Sequence, residues 1–173
     1  MASILNVDQI NNAAGTGAVT IDASTGKASF PNGATLPAGS LVQVVQGEQA
    51  STQINTSTSY VDISGLSASI TPTSSSSKVL VQWSVNGFLP DNNGIVVVPV
   101  RNSTRFYYDS GNAYEFWADG AQLHFRITNQ YLDSPATTSS TQYKMQMKTT
   151  GGANTQVGSY SYPMTITLME IAG

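Results

Sequence analysis

Between Lys78 and Asn86 the chain alternates apolar and polar residues. Val79, Val81, Trp83 and Val85 fall on one face of an extended segment. Lys78, Gln82, Ser84 and Asn86 fall on the other, with Leu80 as the apolar exception. Period two over this length predicts a strand buried on one side. β-Branched and aromatic residues suit such a pleated, half-buried surface. Ser74–Ser77 before it and Gly87 after it supply turn residues. The segment is expected to be the central strand of a β-sandwich.

The same periodicity marks the segments around it. Leu41–Gln46 begins the globular part with Val42, Val44 and Val45. Gly47–Ser59 is polar and reads as loop or edge strand around Ile54. Tyr60–Ile63 alternates, Ser64–Gly65 turns, and Leu66, Ala68 and Ile70 alternate again up to Pro72. Phe88–Gly94 reads as a loop. Ile95–Val100 is an apolar strand that Pro99 places near an edge or a bulge. Thr104–Trp117 is rich in Tyr and Phe, with a turn at Asp109–Asn112, and Asp119–Gly120 forms another turn. Gln122–Thr128 points Leu123, Phe125 and Ile127 inward and His124 and Arg126 outward. Tyr131–Ser140 and Gly151–Ser159 read as loops. The strand between them points Tyr143, Met145 and Met147 inward and Lys144, Gln146 and Lys148 outward. Met164–Ile171 is the last strand, and its place at the terminus suggests that it lies inside a sheet. About eight short strands without a strong helix predict an all-β chain, an antiparallel β-sandwich of jelly-roll type.

Residues 1–40 differ. Their apolar residues are sparse, Ile4, Leu5, Val19, Ile21 and Phe30 among them, and glycines and prolines divide short extended pieces. Ala18–Asp22 and Ala28–Phe30 read as short strands around a turn at Thr25–Gly26, and Asp8–Ala14 as one helical turn. This segment cannot bury a core alone, so it is expected to be an extended arm ordered by a neighbour, with the sandwich domain occupying 41–173.

Composition narrows the function. Charged residues make up 10% of the 173, against roughly 25% in an ordinary soluble domain. The net charge of −3 and the absence of any like-charge run argue against nucleic-acid binding. No apolar run approaches the roughly 20 residues that span a membrane. The first residues lack the basic leader and apolar core of a signal peptide. With no cysteine, no disulfide or thiolate chemistry is expected. A polar but uncharged surface suits protein contacts, where charge is costly to bury.

Three stretches carry a resemblance. Tyr60–Pro72 followed by Ser76–Val81, the closing Thr165–Glu170, and the opening Gly15–Ile21 with Phe30–Thr35 together resemble structural appendage proteins of marine tailed phages, especially cyanophages. The resemblance covers most of the chain and rests on turns and strands rather than catalytic signatures. It implies a virion protein with a jelly-roll head, a homotrimer, assembled in the host cytoplasm.

Candidate chemistry is thin. His124 is the only histidine and sits on an outward face beside Arg126. Without a second histidine or a cysteine, a zinc site or triad is poorly supplied, so a surface or subunit-interface role is expected. Asp109, Glu115 and Asp119 surround the aromatic hairpin. A carboxylate pair is what a glycosidase needs, but turn-capping is the simpler reading. Asp91–Gly94 offers oxygen donors for calcium yet lacks the spacing and distal glutamate of a calcium loop, and reads as a turn. Met145, Met147, Met164 and Met169 read as core packing. Tyr107, Tyr108, Tyr114, Phe116 and Trp117 concentrate around one turn, with Tyr107, Tyr108, Tyr114 and Trp117 the candidates for an exposed patch. Some must pack in the core or between subunits; the others could form a sugar-stacking or protein-binding patch.

The expectation is a non-enzymatic virion structural protein without metal or cofactor. It would be a tail-fibre or spike-like appendage whose arm (Ile4, Leu5, Val19, Ile21, Phe30) docks on other virion proteins. The alternatives are a capsid decoration or cement protein and, in another class, a carbohydrate-binding adhesin for a host surface glycan.

Overall fold

A computed structural model of the chain describes residues 9–11, 17–21, 24–29, 36–106, 116–158 and 162–173. The chain divides into two units, Met1–Leu36 and Pro37–Gly173.

In the first unit, β1 (Gln9–Asn11), β2 (Gly17–Ile21) and β3 (Ala28–Ser29) form an antiparallel sheet in that order. The expected helical turn over Asp8–Ala14 is not what forms at its described residues: Gln9–Asn11 is a strand, with Ile10 opposite Val19. A single helical turn would carry the nucleation cost with little propagation gain, whereas a strand neighbour satisfies the backbone at once. Gly26 takes a left-handed φ of 67° just after the Ser24–Thr25 turn. Val19 is half-buried and Ile21 is exposed. Ile4, Leu5 and Phe30 lie outside the described residues.

The second unit is a sandwich of two antiparallel sheets. The back sheet runs β4 (Leu41–Gln49), β14 (Met164–Ile171), β7 (Lys78–Leu89), β11 (Leu123–Asp133). It is prolonged at one end by β5 (Gln53–Asn55) and β13 (Thr155–Val157), which lies on β7. The front sheet runs β6 (Val61–Ile70), β12 (Thr141–Thr149), β8 (Asn93–Arg101), and then β9 (Thr104–Arg105) and β10 (Phe116–Ala118) along the far edge of β8. From β4 onward the chain passes back, front, back, front, back, front, back. With these neighbours, that is the jelly-roll order. No helix occurs among the described residues.

The predicted core faces are the observed ones. Val79, Val81, Trp83 and Val85 are fully buried between the sheets, as are Tyr143, Met145 and Met147. Phe125 and Ile127 are buried and Leu123 packs against them. The last strand lies between β4 and β7, so both its edges are paired.

Several boundaries differ from expectation, each because tertiary pairing overrides a local turn signal. β7 continues through Gly87 and Phe88, since Gly87 is paired on both sides, with Phe125 and Val157. Ser64–Gly65 is a bulge within β6, not a turn: the register slips opposite Met145, and Gly65 takes a φ of 79° that other residues resist. Tyr131–Asp133 belongs to β11, paired with Val79–Val81. The Gly-rich stretch after Gly151 contains β13. Met169 faces outward opposite Leu80 and Val44, unlike the buried Met164. Pro99 falls between the parts of β8 paired with β10 and β9, where its missing N–H interrupts neither ladder.

Polar side chains join the sheets at the corners. On the β4/β6 side, Gln53 Nε2 donates to the Asp62 carbonyl (3.0 Å) and Gln53 Oε1 accepts from Ser64 N–H (2.8 Å). One amide thus occupies the β6 edge as a neighbouring strand would. At one end of the sandwich, Arg101 Nη1 donates to both carboxylate oxygens of Asp133 (2.8 and 2.7 Å), and the fully buried Tyr143 hydroxyl donates to Oδ2 (2.7 Å). Glu170, also fully buried, accepts from Thr73 N–H and Oγ1 (2.7 Å each) and from Gln43 Nε2 (2.6 Å). Burial pushes the Glu170 carboxyl upward, but these donors and the Ser77 hydroxyl outweigh it and hold it below the ordinary value.

Burial, followed by the hydrogen bond to Asp133 and its charge, pushes the Tyr143 hydroxyl well above the ordinary 10.0. The folded state keeps this proton at a pH where the unfolded chain loses it. Its contribution to stability is therefore intact below about pH 10 and declines as the pH rises further. Denaturation midpoints measured at increasing alkaline pH should fall, and Tyr143→Phe should flatten part of that fall. An equally steep decline in the variant would exclude Tyr143 as its source.

Candidate recognition surface

The outer face of the front sheet carries one of the two described members of the aromatic cluster. Trp117 on β10 stands opposite Gly94 on β8 and is 40% exposed. A Cβ at Gly94 would meet the indole at 3.0 Å and Thr150 Oγ1 at 2.7 Å, so glycine lets the ring lie over the strand. Phe116, its neighbour in sequence, points inward and stacks on Phe125 (5.8 Å between centroids). Phe106, where the aromatic segment begins, packs against Tyr131 and Tyr143. The two described ends of that segment thus divide between core and surface, as period-two alternation requires. Tyr107, Tyr108 and Tyr114 lie outside the described residues, as do Asp109 and Glu115.

A polar network covers the rest of this face. Arg105 Nε donates to Gln146 Oε1 (3.0 Å), Gln146 Nε2 donates to Asp62 Oδ1 (2.7 Å), and Lys144 Nζ meets Asp62 Oδ2 (2.7 Å). The Tyr60 ring receives two cations, Arg105 with its guanidinium carbon 4.2 Å from the centroid and Lys148 Nζ at 4.7 Å. To reach Gln146 from β9, the Arg105 side chain must cross β8. Val96, Val98 and Val100 point outward there, yet they are only 5%, 1% and 1% exposed. The arginine stem supplies part of this cover, as long cationic side chains do over apolar surface.

Among the described residues, three of the chain's seven basic side chains, Arg105, Lys144 and Lys148, join this network, with Asp62 as its carboxylate. The hydrogen bond from Lys144 leads the causes that hold the Asp62 carboxyl below its ordinary value; burial opposes it and Gln146 adds to it. A general acid at neutral pH needs the opposite shift.

The other candidates are dispersed. His124 is outward on β11, its ring 5.2 Å from that of Phe88 directly across the pair. Asp119 is exposed just after β10. Asp91 and Asn92 form the turn before β8, with Asn92 at a φ of 53°. Asn93 is fully buried and serves the fold: its Oδ1 accepts from Thr149 Oγ1 and Gly151 N–H (2.6 Å each), and its Nδ2 donates to Thr155 Oγ1 (2.7 Å). Among the described residues no three His, Cys, Asp or Glu side chains come together.

Sequence reading placed Lys144, Gln146 and Lys148 on one face but missed Tyr60, Asp62 and Arg105 as their partners. Alternation shows which residues share a strand face. It does not show which strands are neighbours, and the bulge at Gly65 displaces the register that brings Asp62 to Gln146. No protein-family model matches the chain and no curated protein is found to match it.

Proposed function

We propose that the chain is a non-enzymatic bacteriophage virion protein, a trimeric tail-fibre or spike-like appendage with its N-terminal unit anchored and its sandwich turned outward. The observation that carries the non-enzymatic part is the use made of buried ionisable groups. Asp133, Tyr143 and Glu170, the buried ones among the described residues, are all committed to bonds between strands or to the segment after β6. The virion assignment is supported by the resemblance of the opening, middle and closing stretches to phage appendage proteins. In this reading the N-terminal unit offers extended backbone to which a neighbouring virion protein adds a strand.

Truncation tests the reading. The boundary is best drawn before Pro37, because Gly39 N–H donates to the Ala172 carbonyl (2.7 Å) and Ala172 N–H to the Ser40 carbonyl (2.8 Å). A chain beginning at Pro37 should remain soluble and β-rich and should lose binding to particles, measured by co-sedimentation and by immunogold labelling. One beginning at Leu41 should melt lower, because it lacks both backbone bonds. Undiminished particle binding by the Pro37 chain would move attachment into the sandwich. Labelling of the capsid shell alone would favour a decoration protein.

A second reading, a receptor adhesin for host surface glycans, is favoured by one observation: Trp117 is exposed on the same sheet face as the Tyr60 cation cluster. An exposed indole is a sugar-stacking platform. Glycan-array binding that Trp117→Ala abolishes would establish it.

A further inference from the structure

The back sheet carries an apolar row across its outer face. Leu132 on β11 is opposite Leu80 on β7, Leu80 is opposite Met169 on β14, and Met169 is opposite Val44 on β4. Alternation turns all four away from the core, since their chain neighbours Val79, Val81 and Leu168 are fully buried. The row crosses the whole sheet, about 14 Å at ~4.8 Å per strand spacing. Ile171 and Leu41, opposite one another, extend it at one end. Leu132, Val44 and Leu41 are 46%, 53% and 55% exposed.

We infer that this row is the surface through which the chain associates with further copies of itself. The inference deepens the trimeric part of the proposed function and rests on it. Two observations select a second copy as the occupant. The first is charge. Association about a symmetry axis brings each residue near the axis towards its own equivalents, where any charge would meet its like. The row contains no ionisable group, and neither does the adjoining row of Gln130, Gln82, Thr167 and Gln46. Glutamine amides both donate and accept, so each can pair with the same group of another copy. Among the described residues, three charged ones share this face outside the two rows: Lys78 beside Ile171, Glu48 beyond Gln46, and Arg126, whose Nη1 donates to Ser84 Oγ (3.1 Å).

The second is area. Three side chains about half exposed and three partly exposed leave roughly 300–400 Å² of apolar surface, the size of the largest patch on a typical monomer, which is often functional. That is about half of the ~800 Å² each partner contributes to a stable interface. The uncharged glutamine and threonine row extends the surface towards that total. Among the described residues the front sheet offers no equivalent apolar row, because its outward stripe of Val96, Val98 and Val100 is already covered.

Sedimentation velocity over a concentration series tests this on the full chain, on Val44→Glu and Leu132→Glu, and on Gln142→Glu. Gln142 is an exposed residue on the outer face of the front sheet. The wild type and Gln142→Glu should associate alike. Each back-sheet variant should associate at least about tenfold more weakly, with an unchanged far-UV spectrum, and Leu132→Met should associate as the wild type. If a glutamate variant fails to fold, Leu132→Gln and Val44→Thr are judged by the same criterion. Wild-type association by both back-sheet variants would overturn the inference and leave the trimer standing on another surface. A wild type that stays monomeric at its highest soluble concentration would overturn the inference and the trimer together. The particle-labelling result would then judge the virion assignment independently.

Discussion

Trp83→Ala is expected to destabilise the sandwich by about 3–5 kcal/mol, the range for truncating a large buried aromatic. Trp83 is fully buried, and its strand neighbours in register are Ile166 on one side and Asn129 on the other. The β7 backbone is held by those two strands, so it cannot collapse into the space the indole leaves. The cavity cost adds to the lost transfer energy. For a unit of this size the melting temperature should fall by roughly 10 °C. Trp117→Ala, at a 40% exposed site, should change stability by no more than about 0.5 kcal/mol. Urea midpoints of the two variants give the comparison. Equal, small shifts would mean that the inward face of β7 has been misassigned by one residue.

Asp133→Ala is the second large effect, expected at about 3 kcal/mol. The carboxylate holds Arg101 from β8 and Tyr143 from β12 to β11, and so ties the two sheets together. Without it, Arg101 loses its counter-charge and the fully buried Tyr143 hydroxyl loses its acceptor. The figure lies at the low end for breaking a buried pair because the Arg101 side chain is 28% exposed and water recovers part of its solvation. Asp133→Asn keeps an acceptor for Tyr143 and should cost less. In a double-mutant cycle, Asp133→Ala combined with Tyr143→Phe should be less destabilising than the sum of the two changes. Strict additivity would show that the three groups do not act as a unit.

The strands easiest to read were those with one wet and one dry face. Alternation alone placed Val79 to Val85, Leu123 to Ile127 and Tyr143 to Met147 on the correct sides. It failed where both faces are covered or where a turn residue lies within a strand. Ser64–Gly65 and Gly87 look like breaks, yet the pairing partners opposite them continue the ladder. Asp133 sits beyond an exposed Tyr131 and Leu132, so nothing local marks it as buried. Its burial depends on Arg101, 32 residues away in sequence.

What the sequence determined by itself is local and periodic: an all-β chain, the inward face of its main strands, the low charge, and a sparse N-terminal segment. Each follows from the spacing of neighbouring residues, because side-chain direction in a strand depends only on position along it. Tertiary structure alone decided which strands lie side by side. That pairing joined Leu132, Leu80, Met169 and Val44 into one open row, gathered Arg105, Gln146, Asp62 and Lys144 into one network, and brought Arg101 to Asp133. Leu80 was the lone exception in its own segment, and only its neighbours on either side turn that exception into a surface. Strand order is settled by long-range packing and loop closure, and neither leaves a mark in the spacing of adjacent residues.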